Sequence, residues 1–142
     1  MQDLAGIPIW PFAIVAALVG VLGAFSVQRF VAYRNAATKF RSTILAELRD
    51  VYPLPASWPK NIDAFLRAVF PSLQAAVAEF RPFLAPWRRR SFDRAWSAYR
   101  NAYGREVDIQ VYHHYMPFND QPDPKATFHA NVNRLLEFAR KT

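Results

Sequence analysis

The 142 residues contain no cysteine, and 18 lysines and arginines outnumber 11 aspartates and glutamates, giving a formal charge of +7. A disulfide framework and a thiolate metal site are excluded, and once a membrane segment is set aside the remaining chain suffices for one small core. The basic balance points to an anionic neighbour, while 11 prolines and 15% aromatic residues point to short helices joined at proline-marked breaks and packed through bulky side chains.

The first element is Ile7 to Val27, a run without a charged residue between Asp3 and Arg29. At about 1.5 Å per residue, roughly twenty residues cover the ~30 Å hydrocarbon layer, and a small soluble domain has no use for a helix that is apolar on every face. A membrane span is expected. A secretory signal wants Lys or Arg before its apolar segment, whereas Met1 to Gly6 offers only Asp3 and the α-amine, so a retained anchor is expected rather than a cleaved signal. Arg29, Arg34, Lys39 and Arg41 follow it with no acid before Glu47, which places the C-terminal side in the cytoplasm and the N-terminus outside, at the inner membrane of the cell. Trp10, Phe30 and Tyr33 fall where interfacial aromatics are expected, and Pro8 and Pro11 fit the first turn. Ala16, Gly20 and Ala24 recur every four residues and form a candidate helix-association face, although Gly and Ala are also simply common in spans. No ionisable group lies within the run, which argues against a proton relay built from this helix alone.

From Asn35 to Val51 neither Gly nor Pro intervenes, and Phe40, Ile44 and Leu48 repeat at four-residue steps, so the span is expected to continue as an amphipathic stalk. Pro53, Pro55 and Pro59 then break the helix. A second helix is expected behind an Asn61 cap with Ile62, Phe65, Leu66, Val69 and Phe70 inward, ended or kinked by Pro71. A third is expected from Ser72, burying Leu73, Ala76, Val77, Phe80 and Leu84, with Pro82 disturbing its last turn. Pro86 opens a fourth with an aromatic stripe of Phe92, Trp96, Tyr99 and Tyr103 and a stop at Gly104. Such a stripe reads as core before it reads as a base-stacking platform.

Arg88, Arg89, Arg90 and Arg94 crowd the start of this fourth helix with Asp93 as the only acid. Cations oppose the macrodipole at an N-terminus, so helix stability does not account for them; a solvated basic face is the plain reading, and contact with anionic headgroups or an acidic partner the sharper one. Nucleic acid ranks lower, since no RNA-binding signature accompanies them. Val107, Ile109 and Val111 alternate like a strand without a run to pair with, so Arg105 to Lys125 is expected to be an extended connection. It carries His113, His114, Asp120 and Asp123, with Glu106 and Asp108 before and His129 after, but not at metal-ligand spacing; no metal or cofactor is assigned. Ser91 and Ser97 lack a nucleophile elbow, and no Gly-rich phosphate loop is present. After Asp123-Pro124 a last helix is expected to bury Phe128, Val132, Leu135, Leu136 and Ala139.

The expected protein is all-α: residues 1–33 form a tail and transmembrane helix, 34–52 an amphipathic stalk, and 53–142 a cytoplasmic bundle of about four further helices. Its expected role is that of a membrane-anchored structural or interaction protein, an accessory subunit or adaptor, with anionic lipid and a protein partner or a second copy as neighbours. An oligomerising, membrane-perturbing effector is the alternative. An enzyme ranks last because acid, base and substrate-holding groups cannot be assigned.

Overall fold

A computed structural model of the protein describes residues 10–54, 57–103, 110–117 and 123–140. They form four α-helices, α1 (Trp10–Glu47), α2 (Ile62–Phe80), α3 (Pro86–Arg100) and α4 (Pro124–Glu137), with 3-10 turns at Arg81–Phe83 and His113–Tyr115. No strand occurs among the described residues, whose regular structure is all-helical. It divides into two compact units, Met1–Ala32 and Tyr33–Thr142.

In the first unit α1 is apolar and exposed on every side: Trp10, Phe12, Leu18, Val21 and Leu22 each leave more than half of their surface uncovered. The helix is long and apolar enough to cross a membrane. Its single hydroxyl in this stretch, Ser26, donates to the Leu22 carbonyl at 2.8 Å and so satisfies itself within the helix. Ile7, Pro8 and Ile9, at the start of the apolar run, lie outside the described residues.

The second unit is built around phenylalanines. Phe40 of α1 stacks on Phe80 of α2 at 4.7 Å, Phe80 meets the edge of Phe92 of α3 at 5.6 Å, and Phe92 meets Phe138, just past α4, at 5.3 Å. The residues that repeat at four-residue steps on α1, Phe40, Ile44 and Leu48, are all buried in this core, together with Ala37. Tyr33 Oη donates to the Phe138 carbonyl at 2.7 Å, capping the end of α4 from α1. Regular helix stops at Glu47, short of the expected Val51. There the Leu48 carbonyl accepts from both Val51 and Tyr52 N–H, at 2.9 and 2.8 Å, and the turn carries these two side chains into the core ahead of Pro53.

Pro71 does not divide α2. One helix runs through it, so among the described residues three α-helices follow α1 instead of the expected four. The proline ring is on the exposed side, where water can reach the Arg67 carbonyl that lacks an amide partner. Leu66 and Ile62 before it and Leu73, Val77 and Phe80 after it share one buried face. Burial of each such side chain stabilises by about 1.5–3 kcal/mol, which together exceeds the ~3 kcal/mol cost of an interior proline. Asn61 caps the helix as its sequence implies, accepting from Ala64 N–H at 3.0 Å. Pro82 then tightens the chain into the Arg81–Phe83 turn, which delivers Leu84 to the core.

On α3, Phe92, Trp96 and Tyr99 are buried, but Tyr103 lies beyond the helix end at Arg100 and is exposed. Asn101 ends the helix in extended backbone, and its side chain accepts from Tyr103 N–H at 2.9 Å. The expected stop at Gly104 lies outside the described residues, as do Val107 and Ile109. Val111 is bound back onto the end of α3 through its N–H to the Arg100 carbonyl and its carbonyl to the Ala102 N–H. Asp123 caps α4, accepting from Lys125 N–H at 3.0 Å, and the expected face of Phe128, Val132, Leu135, Leu136 and Ala139 is buried throughout.

Phe92 touches three of the other ring elements, so Phe92→Ala is expected to cost about 3–5 kcal/mol. The exposed Pro71→Ala is expected to stabilise by up to about 3 kcal/mol. Thermal unfolding of the detergent-solubilised chain, followed by circular dichroism, checks both signs.

Candidate functional site

Ala16, Gly20 and Ala24 are exposed on α1. A Cβ placed on Gly20 or Gly23 would meet nothing within 4 Å, so no contact among the described residues requires a small residue there. The apolar surface around them is equally uncovered: Val19 and Val21, on either side of Gly20, are 64% and 68% exposed.

The arginines of α3 divide by what they touch. Arg89 turns back on the preceding turn, Nε donating to the Leu84 carbonyl at 3.1 Å and Nη2 to the Pro82 carbonyl at 2.9 Å. Since Ala85 offers no side-chain cap, this guanidinium anchors the entry to the helix. Arg88 lies 5.4 Å over the Phe138 ring. Arg90 and Arg94 are exposed, and neither makes a hydrogen bond or ion pair among the described residues. Asp93 is held by Arg81 through two parallel bonds of 2.7 and 2.8 Å. That hydrogen bonding lowers the Asp93 carboxyl below its ordinary value, so the pair is charge-neutral as a unit.

Sequence reasoning missed the tyrosines of the irregular segment. Tyr112 and Tyr115 are fully buried and join Tyr99 and Phe128 in a second aromatic cluster; the three-residue step from Tyr112 to Tyr115 is the only local signal for it. Tyr115 Oη donates to the Tyr99 carbonyl at 2.8 Å and accepts from Asn131 Nδ2 at 3.0 Å. Burial pushes Tyr112 up to about 12, against the pull of Arg67, and raises Tyr99 and Tyr115 well above the ordinary phenol value. These hydroxyls keep their protons at neutral pH; those of Tyr112 and Tyr115 donate hydrogen bonds, to Gln110 Oε1 and the Tyr99 carbonyl, whereas the buried Tyr99 Oη has no partner among the described residues.

The two adjacent histidines face different surroundings. His114 stacks on Tyr115 at 3.7 Å, and its Nε2 lies 3.0 Å from the Ala98 carbonyl, which requires the proton on that nitrogen. Burial lowers its affinity for a second proton more than the carbonyls of Ala98 and Tyr99 raise it. His113 is exposed beside Tyr103, and His129 Nδ1 is 3.0 Å from the Asn133 amide, whose oxygen accepts from Tyr52. Among the described residues no three His, Asp or Glu side chains converge on a point that could hold a metal ion. Glu106, Asp108 and Asp120 lie outside those residues. A shallow open groove of about 290 Å³ between Arg41, Tyr52, Asn133, Leu136, Glu137 and Arg140 is the neighbouring surface feature, with cations and a carboxylate on one rim.

The fold and these surfaces define an all-helical protein with one long, apolar N-terminal helix. No protein-family model, curated protein or solved structure matches the chain.

Two outcomes are expected. Because folding lowers the His114 pKa below its ordinary 6.5, the unfolded chain takes up the proton first as pH falls, and stability drops from about that pH down to the lowered folded value. The melting temperature should therefore fall as the pH drops below about 6.5, less so in His114→Gln. Arg89→Gln should lose about 1 kcal/mol of stability, whereas Arg90→Gln should stay within about 0.5 kcal/mol of the parent in the same melts.

Proposed function

We propose that this chain is a single-pass membrane-anchored structural or interaction protein, an accessory subunit or adaptor that presents a basic, aromatic-rich helical domain at the inner face of the cell membrane. The observation that carries the reading is the exposure of α1 on every side from Trp10 through Val31, whereas the same helix, from Ala37 onward, contributes to a closed core. Apolar surface left in water costs roughly 25 cal/mol per Å², so a stretch of this length calls for lipid or another helix around it. The cations Arg29, Arg34, Lys39 and Arg41 at its C-terminal flank support an orientation with the folded domain in the cytoplasm.

The lipid does not by itself drive helices together, so a partner helix is recognised by close packing, and the small side chains of Ala16, Gly20 and Ala24 permit it. Accessory subunits of membrane complexes need this combination of an anchor and a folded platform. The effector reading uses the same face for self-assembly. It asks in addition that the assembled helices disturb the bilayer.

Purification of the tagged chain from membranes in mild detergent is expected to bring down a stoichiometric partner, and a monomer with nothing attached would overturn the adaptor reading. Gly20→Leu should release that partner without altering the melting temperature, because among the described residues nothing lies within 4 Å of a Cβ added there. Homo-oligomers that depolarise liposomes, and fail to do so with Gly20→Leu, would instead favour the effector.

A further inference from the structure

We propose that the face formed by Phe83, Trp87, Arg90 and Arg94 docks the folded domain onto the surface of an anionic lipid bilayer, with the Trp87 indole seated at headgroup level and the two guanidiniums on lipid phosphates. The proposal rests on the membrane-anchored reading and adds to it a second point of attachment, on the domain itself.

Trp87 is 80% exposed, more than any other large apolar side chain among the described residues, and it makes no ring contact or hydrogen bond there. The contrast with Trp96 is instructive. That indole, nine residues further along the same helix, is buried, and its Nε1 donates to Gln74 at 3.2 Å. Core packing therefore explains Trp96 and leaves Trp87 without a reason inside the chain. Phe83, in the turn just before α3, is half exposed as well.

Arg90 and Arg94 follow Trp87 by three and seven residues and so stand on its face of α3. Both are free of ion pairs among the described residues, while the two neighbouring arginines are engaged internally, Arg89 by backbone carbonyls and Arg88 by the Phe138 ring. Asp93, the only acid on the helix, is neutralised by Arg81 and does not cancel their charge. The result is an exposed indole and phenyl ring beside two uncompensated cations. Indole prefers the headgroup region, where its ring is shielded and its N–H stays hydrated, and each Arg near an anionic surface adds about 1 kcal/mol. The net charge of +7 has the matching sign. Covalent attachment to the anchor makes even a weak contact of this kind count, since docking becomes intramolecular.

The absence of cysteine allows a clean test on the full chain. Ser91→Cys, exposed on the proposed face, and Ala75→Cys, exposed on α2, each carry one polarity-sensitive fluorophore after reconstitution into phosphatidylcholine vesicles, with or without phosphatidylserine. With phosphatidylserine the Ser91 probe should shift to the blue and be quenched by headgroup-depth nitroxide lipids, whereas the Ala75 probe should not. Arg90→Gln with Arg94→Gln should reduce the docked-to-undocked ratio roughly 25-fold, about fivefold per charge, and Trp87→Ser should remove the blue shift, with melting temperatures unchanged. Equal response of the two probes, or no effect of these variants, would overturn the proposal and point the face toward an acidic protein or nucleic acid.

Flotation separates this from failure of the anchor. Vesicle association that survives alkaline carbonate while the Ser91 probe stays aqueous keeps the anchor and overturns the docking face. Association only with phosphatidylserine vesicles, reversed by salt and by the double arginine variant, overturns the anchor and supports the face. No association with either vesicle overturns both.

Discussion

Four phenylalanine rings from separate parts of the chain hold the folded unit together. Phe40, Phe80, Phe92 and Phe138 come from α1, α2, α3 and the end of α4, and each touches the next within 6 Å. Stacked and edge-on pairs of this kind add about 0.5–1.5 kcal/mol each beyond the area they bury. The cluster also accounts for two departures from simple helical rules. Pro71 is tolerated because the helix that contains it must bring Leu66 and Phe80 to the same core, and the chain around Pro82 must turn so that Phe80 and Phe92 can meet. A further consequence concerns α1: its C-terminal part, including Phe40 and Ile44, is a structural member of the domain and not a spacer leading to it.

The polar groups follow from that packing. Tyr33 supplies a hydroxyl to the open end of α4, Arg89 supplies donors to the carbonyls before α3, and Tyr115 links the backbone of α3 to Asn131 of α4. Each satisfies a backbone or side-chain group that the helix geometry alone leaves open. What remains on the surface is correspondingly selective. On α3 the uncommitted groups are Trp87, Arg90 and Arg94, and on α1 they are the apolar side chains around Gly20. Both surfaces have compositions that water accommodates poorly or that attract anions, which is why the proposed roles concern lipid and partner contact and not chemistry within a pocket.

Much of this was legible in the sequence because it depends on local periodicity. The unbroken apolar run marks the long first helix, and the four-residue repeats of Phe40, Ile44 and Leu48 mark the face that is buried. The same holds for Leu73, Ala76, Val77, Phe80 and Leu84, and for all five apolar residues assigned to the last helix, since a helix that packs on one side must repeat its apolar residues at 3.6. Caps at Asn61 and Asp123 were equally readable, because a short polar side chain three or two residues before an open N–H needs no distant partner.

Other features were beyond local reasoning. Whether Pro71 divides a helix depends on what its two flanks bury, and whether Tyr103 joins the stripe of Phe92, Trp96 and Tyr99 depends on Val111 pairing behind Asn101. Arg88, Arg89, Arg90 and Arg94 look alike in sequence, yet Arg88 is engaged by the Phe138 ring beyond α4 and Arg89 by two carbonyls of the turn before α3, while Arg90 and Arg94 are left to solvent. The sequence by itself determined the helical class, the long apolar helix and most of the core, since these are set by the order of polar and apolar residues along one helix at a time. Only the tertiary structure decided which charges and which aromatic ring remain uncommitted, because that depends on contacts between residues far apart in the chain.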